Sequence, residues 1–332
     1  MRLRNHTKTD LSLRHIAPAA LEAIEGIEFT YKNMGKTTGL PTGIPDLDRM
    51  TGGLHGNQMI VLAARPSMGK TALALLLADN ICAHAPTAMF SLEMNQKELA
   101  TRLICMKARL NLQRVRDGFL KRNAWTPLMQ VVDGVQRMPF YVDDTPSLSV
   151  YDFRSRARRA VLKYGCKAII IDYLQLMRST TRRAQENRAL EVTEISQNIK
   201  ACAKELDVPV IALAQLGRDA DRRNGPPKLS DLRESGSIEQ DADVVMMLWR
   251  KPSRDDDGEE TEKAGTETDL IMAKQRNGPA GAEVVVKLNF LKEFALFEPS
   301  TKDLYSNNSE KRQQGYSKPK TASQPNPVES DD

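Results

Sequence analysis

The chain has 332 residues, 40% of them hydrophobic and 27% charged, with a formal net charge of +5. That length and apolar content suffice for one large α/β domain with extensions or for two small domains, and so mild a charge permits nucleic-acid binding without requiring it. Cys82, Cys105, Cys166 and Cys202 form no Cys-x-x-Cys pair and His6, His15, His55 and His84 have no ligand spacing, which argues against a zinc ribbon, a disulfide framework or a transition-metal site and fits a reducing cytoplasm. No run of about eighteen apolar residues or signal-peptide core occurs, so a soluble, intracellular protein with no membrane partner is expected.

In chain order, residues 1–15 read as a polar arm, and residues 16–31 as a short amphipathic helix with Leu21, Ile24 and Ile27 or Phe29 on its apolar side. A lone helix of that length is marginal in water and needs a surface, either its own domain or a neighbouring subunit. Residues 37–300 read as one globular domain. Within that domain, apolar runs at 59–63, 88–91, 140–142, 168–171, 209–213 and 244–248 alternate with helical stretches. Several runs are continuous, as strands covered on both faces require, which predicts a mostly parallel sheet flanked by helices. Two later runs, 269–274 and 283–289, are joined by Gln275-Arg276-Asn277-Gly278-Pro279 and predict a terminal β-hairpin turning on Asn-Gly. The Ser-, Asn-, Gln-, Lys- and Pro-rich tail, residues 301–332, is expected to be disordered.

The chemistry starts at Ala64-Arg65-Pro66-Ser67-Met68-Gly69-Lys70-Thr71, between the first predicted strand and a helix. In a phosphate-binding loop of this kind, backbone N–H groups cradle phosphate oxygens, Lys70 reaches the β and γ phosphates, and the Thr71 hydroxyl holds Mg²⁺. ATP with Mg²⁺ is the expected ligand, although Ala64 stands where the general pattern has glycine. Asp172, closing the strand Ile169-Ile170-Ile171, either positions the Mg²⁺ shell beside Thr71 or merely ends a strand. Glu93, closing Phe90-Ser91-Leu92, is a candidate general base for the attacking water; the alternative makes it a helix N-terminal residue beside an Asn95 cap. Gln215, closing Ile211-Ala212-Leu213-Ala214, suits a γ-phosphate sensor. Lys274 and Arg276 either line a solvated sheet edge or project into another subunit's ATP, where a guanidinium stabilises transition-state charge. Arg154, Arg156, Arg158 and Arg159 spread their charge around a predicted helix, which favours a solvated or subunit-facing surface over a DNA groove.

Together these residues closely resemble the C-terminal motor domain of the bacterial DnaB replicative helicase family, which has a RecA-like P-loop NTPase fold. Also carrying the resemblance are Thr38-Gly39-Leu40-Pro41-Thr42-Gly43, Asp46-Leu47-Asp48, Ser91-Leu92-Glu93-Met94, the arginine cluster, Ile171-Asp172-Tyr173-Leu174-Gln175-Leu176-Met177 and the runs from Asp231 and Lys274. It implies a homo-hexameric ring that hydrolyses ATP between subunits and moves 5′ to 3′ on single-stranded DNA, with a primase or helicase loader as a further partner. By position, Glu93 matches the catalytic glutamate, Asp172 the metal-positioning acid, Gln215 the sensor, Arg276 the arginine finger, and Lys274 a second cation in trans. Arg233, Glu234 and Gly236 match the loop that follows the DNA backbone. One arginine plus glycine-exposed N–H groups grip phosphate without reading bases; Glu234, which cannot accept from phosphate, orients Arg233 or contributes backbone. Full-length members carry a helical collar before a linker helix that docks on the adjacent motor domain; the resemblance implies that residues 16–36 are this linker, and about fifteen residues precede it here. The rival expectations are an accessory or inhibitory subunit of another helicase's ring and a RecA-like recombination ATPase.

Overall fold

Every side chain of β1 (Met59–Ala64) is buried, as a continuous apolar run requires when both faces of a strand are covered. The computed structural model describes residues 15–32, 37–181, 187–217, 225–250 and 266–300. Residues 1–14 of the predicted arm (1–15) and the predicted tail (301–332) lie outside the described residues. The other strands are β2 (Thr87–Ser91), β3 (Phe140–Asp143), β4 (Ala168–Asp172), β5 (Val210–Gln215), β6 (Val244–Arg250), β7 (Thr266–Gln275), β8 (Val285–Leu291) and β9 (Leu296–Pro299). Among the described residues they form one sheet in the order β3-β2-β4-β5-β1-β6-β7-β8-β9. The first six run parallel and β7, β8 and β9 antiparallel, so the expected mostly parallel α/β sheet is present.

The helices are α1 (Ala17–Lys32), α2 (Pro45–Thr51), α3 (Lys70–Cys82), α4 (Gln96–Ala108), α5 (Leu112–Arg116), α6 (Trp125–Arg137), α7 (Val150–Tyr164), α8 (Arg188–Leu206) and α9 (Gly236–Asp241). Strand alternation divides the core between the two faces of the sheet. Met59, Val61 and Ala63 pack with Phe153 of α7 and Ile195 and Ile199 of α8. Ile60, Leu62 and Ala64 pack with Leu47 of α2 and Leu73, Leu77 and Ile81 of α3. The strand order reverses at β1: the chain leaves it toward β2 on one side and later returns at β6 on the other. A crevice opens at the carboxyl ends of the strands at such a switch point, and the loop from β1 to α3 lies there.

The segment before β1 is built around Asp48. Its Oδ1 accepts from the Thr42 N–H and the Thr42 hydroxyl, both at 2.7 Å, and Oδ2 accepts from the Gly43 N–H at 3.1 Å. Asn80 of α3 donates to the Thr42 carbonyl at 2.8 Å, and a Cβ on Gly43 would lie 2.3 Å from that amide, so only glycine fits this turn. The Thr38–Asp48 motif thus anchors the chain onto α3.

The expected hairpin is present as β7 and β8, but its turn is not the expected one. The β7–β8 pairing ends at Ile271 and Val285, with Met272 bonded to Val284 and Gly281, so the connection is longer than a two-residue turn. Neither Asn277 nor Gly278 has the positive φ an Asn-Gly hairpin turn demands. The last residues of β7 pair instead with β6, and Gln275 donates to the Met50 carbonyl at 3.0 Å. Strand β9 adds an edge beyond the expected hairpin; its Phe297 stacks on Phe290 of β8 with centroids 4.4 Å apart.

Three of the four arginines of α7 meet carboxylates of their own chain. Arg154 and Arg158 donate to Glu205 of α8, and Arg156 to Asp143 at 2.9 Å and Thr145 at 2.6 Å. The amphipathic helix is present as α1, but its apolar residues are open: Leu21 is 65%, Ile24 54% and Ile27 68% exposed. The side chain of Phe29 lies outside the described ones. No helix among the described residues is long and apolar enough to cross a membrane.

Candidate active site

The loop from Ala64 to Thr71 bends through two left-handed residues, Ser67 (φ 62°) and Gly69 (φ 93°). A Cβ on Gly69 would also lie 2.9 Å from the ring of Phe297, so conformation and packing both require glycine. No side chain caps α3 at this end, which leaves its first-turn N–H groups aimed at the crevice. Arg250, at the end of β6, donates to the Ser67 carbonyl at 3.2 Å and sits over the Phe290 ring.

Strand pairing sets the acids beside this loop. Ser91 of β2 lies opposite Asp172 of β4, and the Leu92 N–H donates to the Asp172 carbonyl at 2.7 Å. The Asp172 carboxylate is fully buried, accepts from the Thr71 hydroxyl at 2.7 Å and lies 3.7 Å from Lys70 Nζ. Lys70 Nζ also sits 4.1 Å from the centroid of the Tyr173 ring. Glu93 follows in an exposed turn fixed by Ser91, whose hydroxyl donates to the Met94 carbonyl at 2.6 Å. Asn95 caps α4 reciprocally with Glu98 and so leaves Glu93 out of the cap. Arg65, Lys70, Thr71, Glu93, Arg102 and Gln215 line a common cleft of 290 Å³.

Burial pushes the Lys70 ammonium below its usual pKa, against the opposing pull of Asp172 and Glu93. Bound phosphate would raise it again, so between the depressed free value and the restored bound one, binding takes up a proton and affinity falls as pH rises. Calorimetry in buffers of different ionisation enthalpy is expected to detect that proton within this window, and Lys70→Arg to abolish the uptake.

The structure does not bring Lys274 and Arg276 to this cleft. Gln275 pairs with Val244, which pairs with Ile60 near the start of β1, so both cations lie at the amino edge of the sheet. At a strand rise of about 3.3 Å per residue, that edge is about 17 Å from the end of β1 where the loop begins. Gly236 is exposed and opens α9 after a 3₁₀ segment, Leu229–Ser235. The side chains of Arg233 and Glu234 lie outside the described ones. That segment is pinned to the end of β5, since the Gly217 N–H donates to the Asp231 carbonyl at 3.0 Å.

Sequence reasoning missed Arg102, Arg250 and Gln175. The Gln175 amide donates to the Gln215 carbonyl at 3.0 Å and accepts from the Gln215 N–H at 3.2 Å, which fixes the end of β5 as a neighbouring strand would. Gln175 lies within the Ile171 to Met177 motif, but only the β4–β5 pairing reveals its partner. No sequence spacing links Arg250 to Ser67.

Comparison with known proteins agrees with this geometry. Residues 39–299 match the family model described as the DnaB-like helicase C-terminal domain. The chain is 42% identical over 289 residues to the replicative DNA helicase DnaB of Geobacillus stearothermophilus, covering 86% of this chain and 62% of that protein. It is 42% identical over 293 residues to the replicative DNA helicase DnaC of Bacillus subtilis strain 168, covering 87% and 63%. The chain thus spans about three fifths of these curated relatives. Among solved structures, one described as an ATPase domain superposes with a TM-score of 0.78 at 36% identity, over 87% of this chain and all of that one. A DnaB-like replicative helicase described with its primase interactions gives 0.73 at 37% identity, over 87% and 68%. With the loop, the buried acid and the sheet order all in place, the chain belongs to the DnaB-like helicase C-terminal domain family.

Proposed function

We propose that this chain is the ATP-hydrolysing motor of a hexameric replicative DNA helicase that moves 5′ to 3′ on single-stranded DNA, with each ATP held between two subunits. The observation that carries this reading is the placement of Lys274 and Arg276 at the edge of the sheet opposite the phosphate loop. Cations that far from their own chain's cleft serve a triphosphate only when a second copy presents its loop to them.

In the cleft, the loop amides and Lys70 would bind the phosphates, Glu93 would take the proton of the attacking water, and Gln215 would sense the γ-phosphate. Mg²⁺ suits these residues: Asp172 Oδ1 is buried with no hydrogen-bond partner among the described residues, beside the Thr71 hydroxyl oxygen. When bound, the ion would neutralise phosphate charge. The link from Gln215 through Gly217 to Asp231 supports a route from the nucleotide to the segment bearing Arg233, Glu234 and Gly236, assigned to the DNA backbone. The open apolar stripe of α1 supports docking on a neighbouring copy, where Phe119, Trp125 and Met129 are likewise exposed. Primase as partner rests on the DnaB-like replicative helicase described with its interactions with primase, and a loader rests on the family resemblance alone.

The test is ATP hydrolysis against protein concentration, with and without single-stranded DNA. A steep concentration dependence with DNA stimulation is expected. Negligible hydrolysis at every concentration would favour the accessory-subunit reading.

A further inference from the structure

Asp243, at the foot of β6, has no part in the chemistry above and is only 8% exposed. Its Oδ2 accepts from the Met59 N–H at 2.8 Å and the Lys200 ammonium at 2.6 Å. With that oxygen held twice, the carboxylate cannot swing, and Oδ1 pairs with Arg276 Nη1 at 3.2 Å. The Asp243 carbonyl also accepts the Arg276 N–H at 2.9 Å, so side chain and backbone grip the same residue. The last turn of α9 supplies the rest: Lys274 donates to the carbonyls of Glu239 and Gln240, and Arg276 Nη2 to that of Gln240 at 3.1 Å. Helix C-terminal carbonyls carry partial negative charge and favour cations.

We propose that Asp243 is a positioning residue which, with the Glu239 and Gln240 carbonyls, forms a seat that aims Arg276 and Lys274 at the nucleotide of a neighbouring copy. This rests on the trans role assigned to the two cations. The Arg276 side chain is half exposed, and without the seat it samples many rotamers. With the seat, the guanidinium is oriented before ATP arrives, which is where a trans cation gains its rate effect. Because α9 begins where the Leu229–Ser235 segment ends, the seat also fastens both cations to the segment assigned to DNA.

The experiment compares Asp243→Asn, Arg276→Ala and the double variant by kcat, KM and melting temperature. Asparagine keeps an acceptor for Met59 but surrenders the charge that orders Arg276. Asp243→Asn is expected to lower kcat about tenfold or more with KM nearly unchanged. The double variant is expected to be no slower than Arg276→Ala alone, because a residue acting through Arg276 has nothing left to position. Wild-type kcat in Asp243→Asn, or a loss that multiplies with that of Arg276→Ala, would overturn the proposal in favour of a purely structural acid. Should Asp243→Asn not fold, Asp243→Glu keeps the charge, shifts the guanidinium by one methylene and is held to the same outcomes. An Arg276→Ala protein with wild-type kcat would instead remove the trans-cation reading itself.

Discussion

Arg276→Ala is expected to lower ATP hydrolysis by about 10³-fold or more while leaving nucleotide affinity nearly intact, the signature of a guanidinium that acts only on transition-state charge. Affinity survives because Arg276 sits at the amino edge of the sheet, whereas every binding group assigned here, from Ala64 to Thr71, sits at the carboxyl edge. Rings that mix subunits distinguish trans from cis action. Lys70→Ala subunits cannot hold phosphate but keep their own Arg276, so they can complete the intact cleft of an Arg276→Ala neighbour. Activity is therefore expected to reappear when the two inactive proteins are mixed, and titrating one against the other gives a maximum between the pure species. Parallel loss of nucleotide affinity and hydrolysis in Arg276→Ala, with no recovery in any mixture, would sink the trans assignment.

What the sequence revealed follows from which forces are local. The phosphate loop was legible because its signals are local: Ser67 and Gly69 supply the turn, Lys70 and Thr71 the side chains proposed as ligands, and the flanking apolar run the strand. Asp172, Glu93 and Gln215 were legible because parallel strands deliver the residues at their carboxyl ends to one crevice. The supporting contacts were not. Gln175 to Gln215, Arg250 to Ser67 and Asp243 to Arg276 join residues far apart in sequence, and no periodicity encodes such pairs. The Asn-Gly turn failed for a related reason. Asn277-Gly278 has the composition of a hairpin turn, but β6 takes the last residues of β7 and the Gln275 side chain fills the space beside Gly278, so tertiary pairing overrode local preference.

Glu93→Gln is expected to lower hydrolysis by about 10²- to 10⁴-fold, the range associated with removing a general base. The change is nearly isosteric at an exposed position, and the Ser91–Met94 bond and the Asn95–Glu98 cap that shape the turn do not involve the Glu93 side chain, so the melting temperature is expected to stay put. Affinity tells the base from a binding residue. A carboxylate in this cleft repels the triphosphate even as it helps keep Lys70 charged. Its removal is therefore expected to leave ATP binding unchanged or tighter at pH values below the depressed Lys70 pKa, and to trap unhydrolysed ATP between subunits. Filter binding and single-turnover hydrolysis on one preparation separate these effects. If affinity and rate fell together, Glu93 would belong to the phosphate cradle, and the base would have to be sought elsewhere in the cleft.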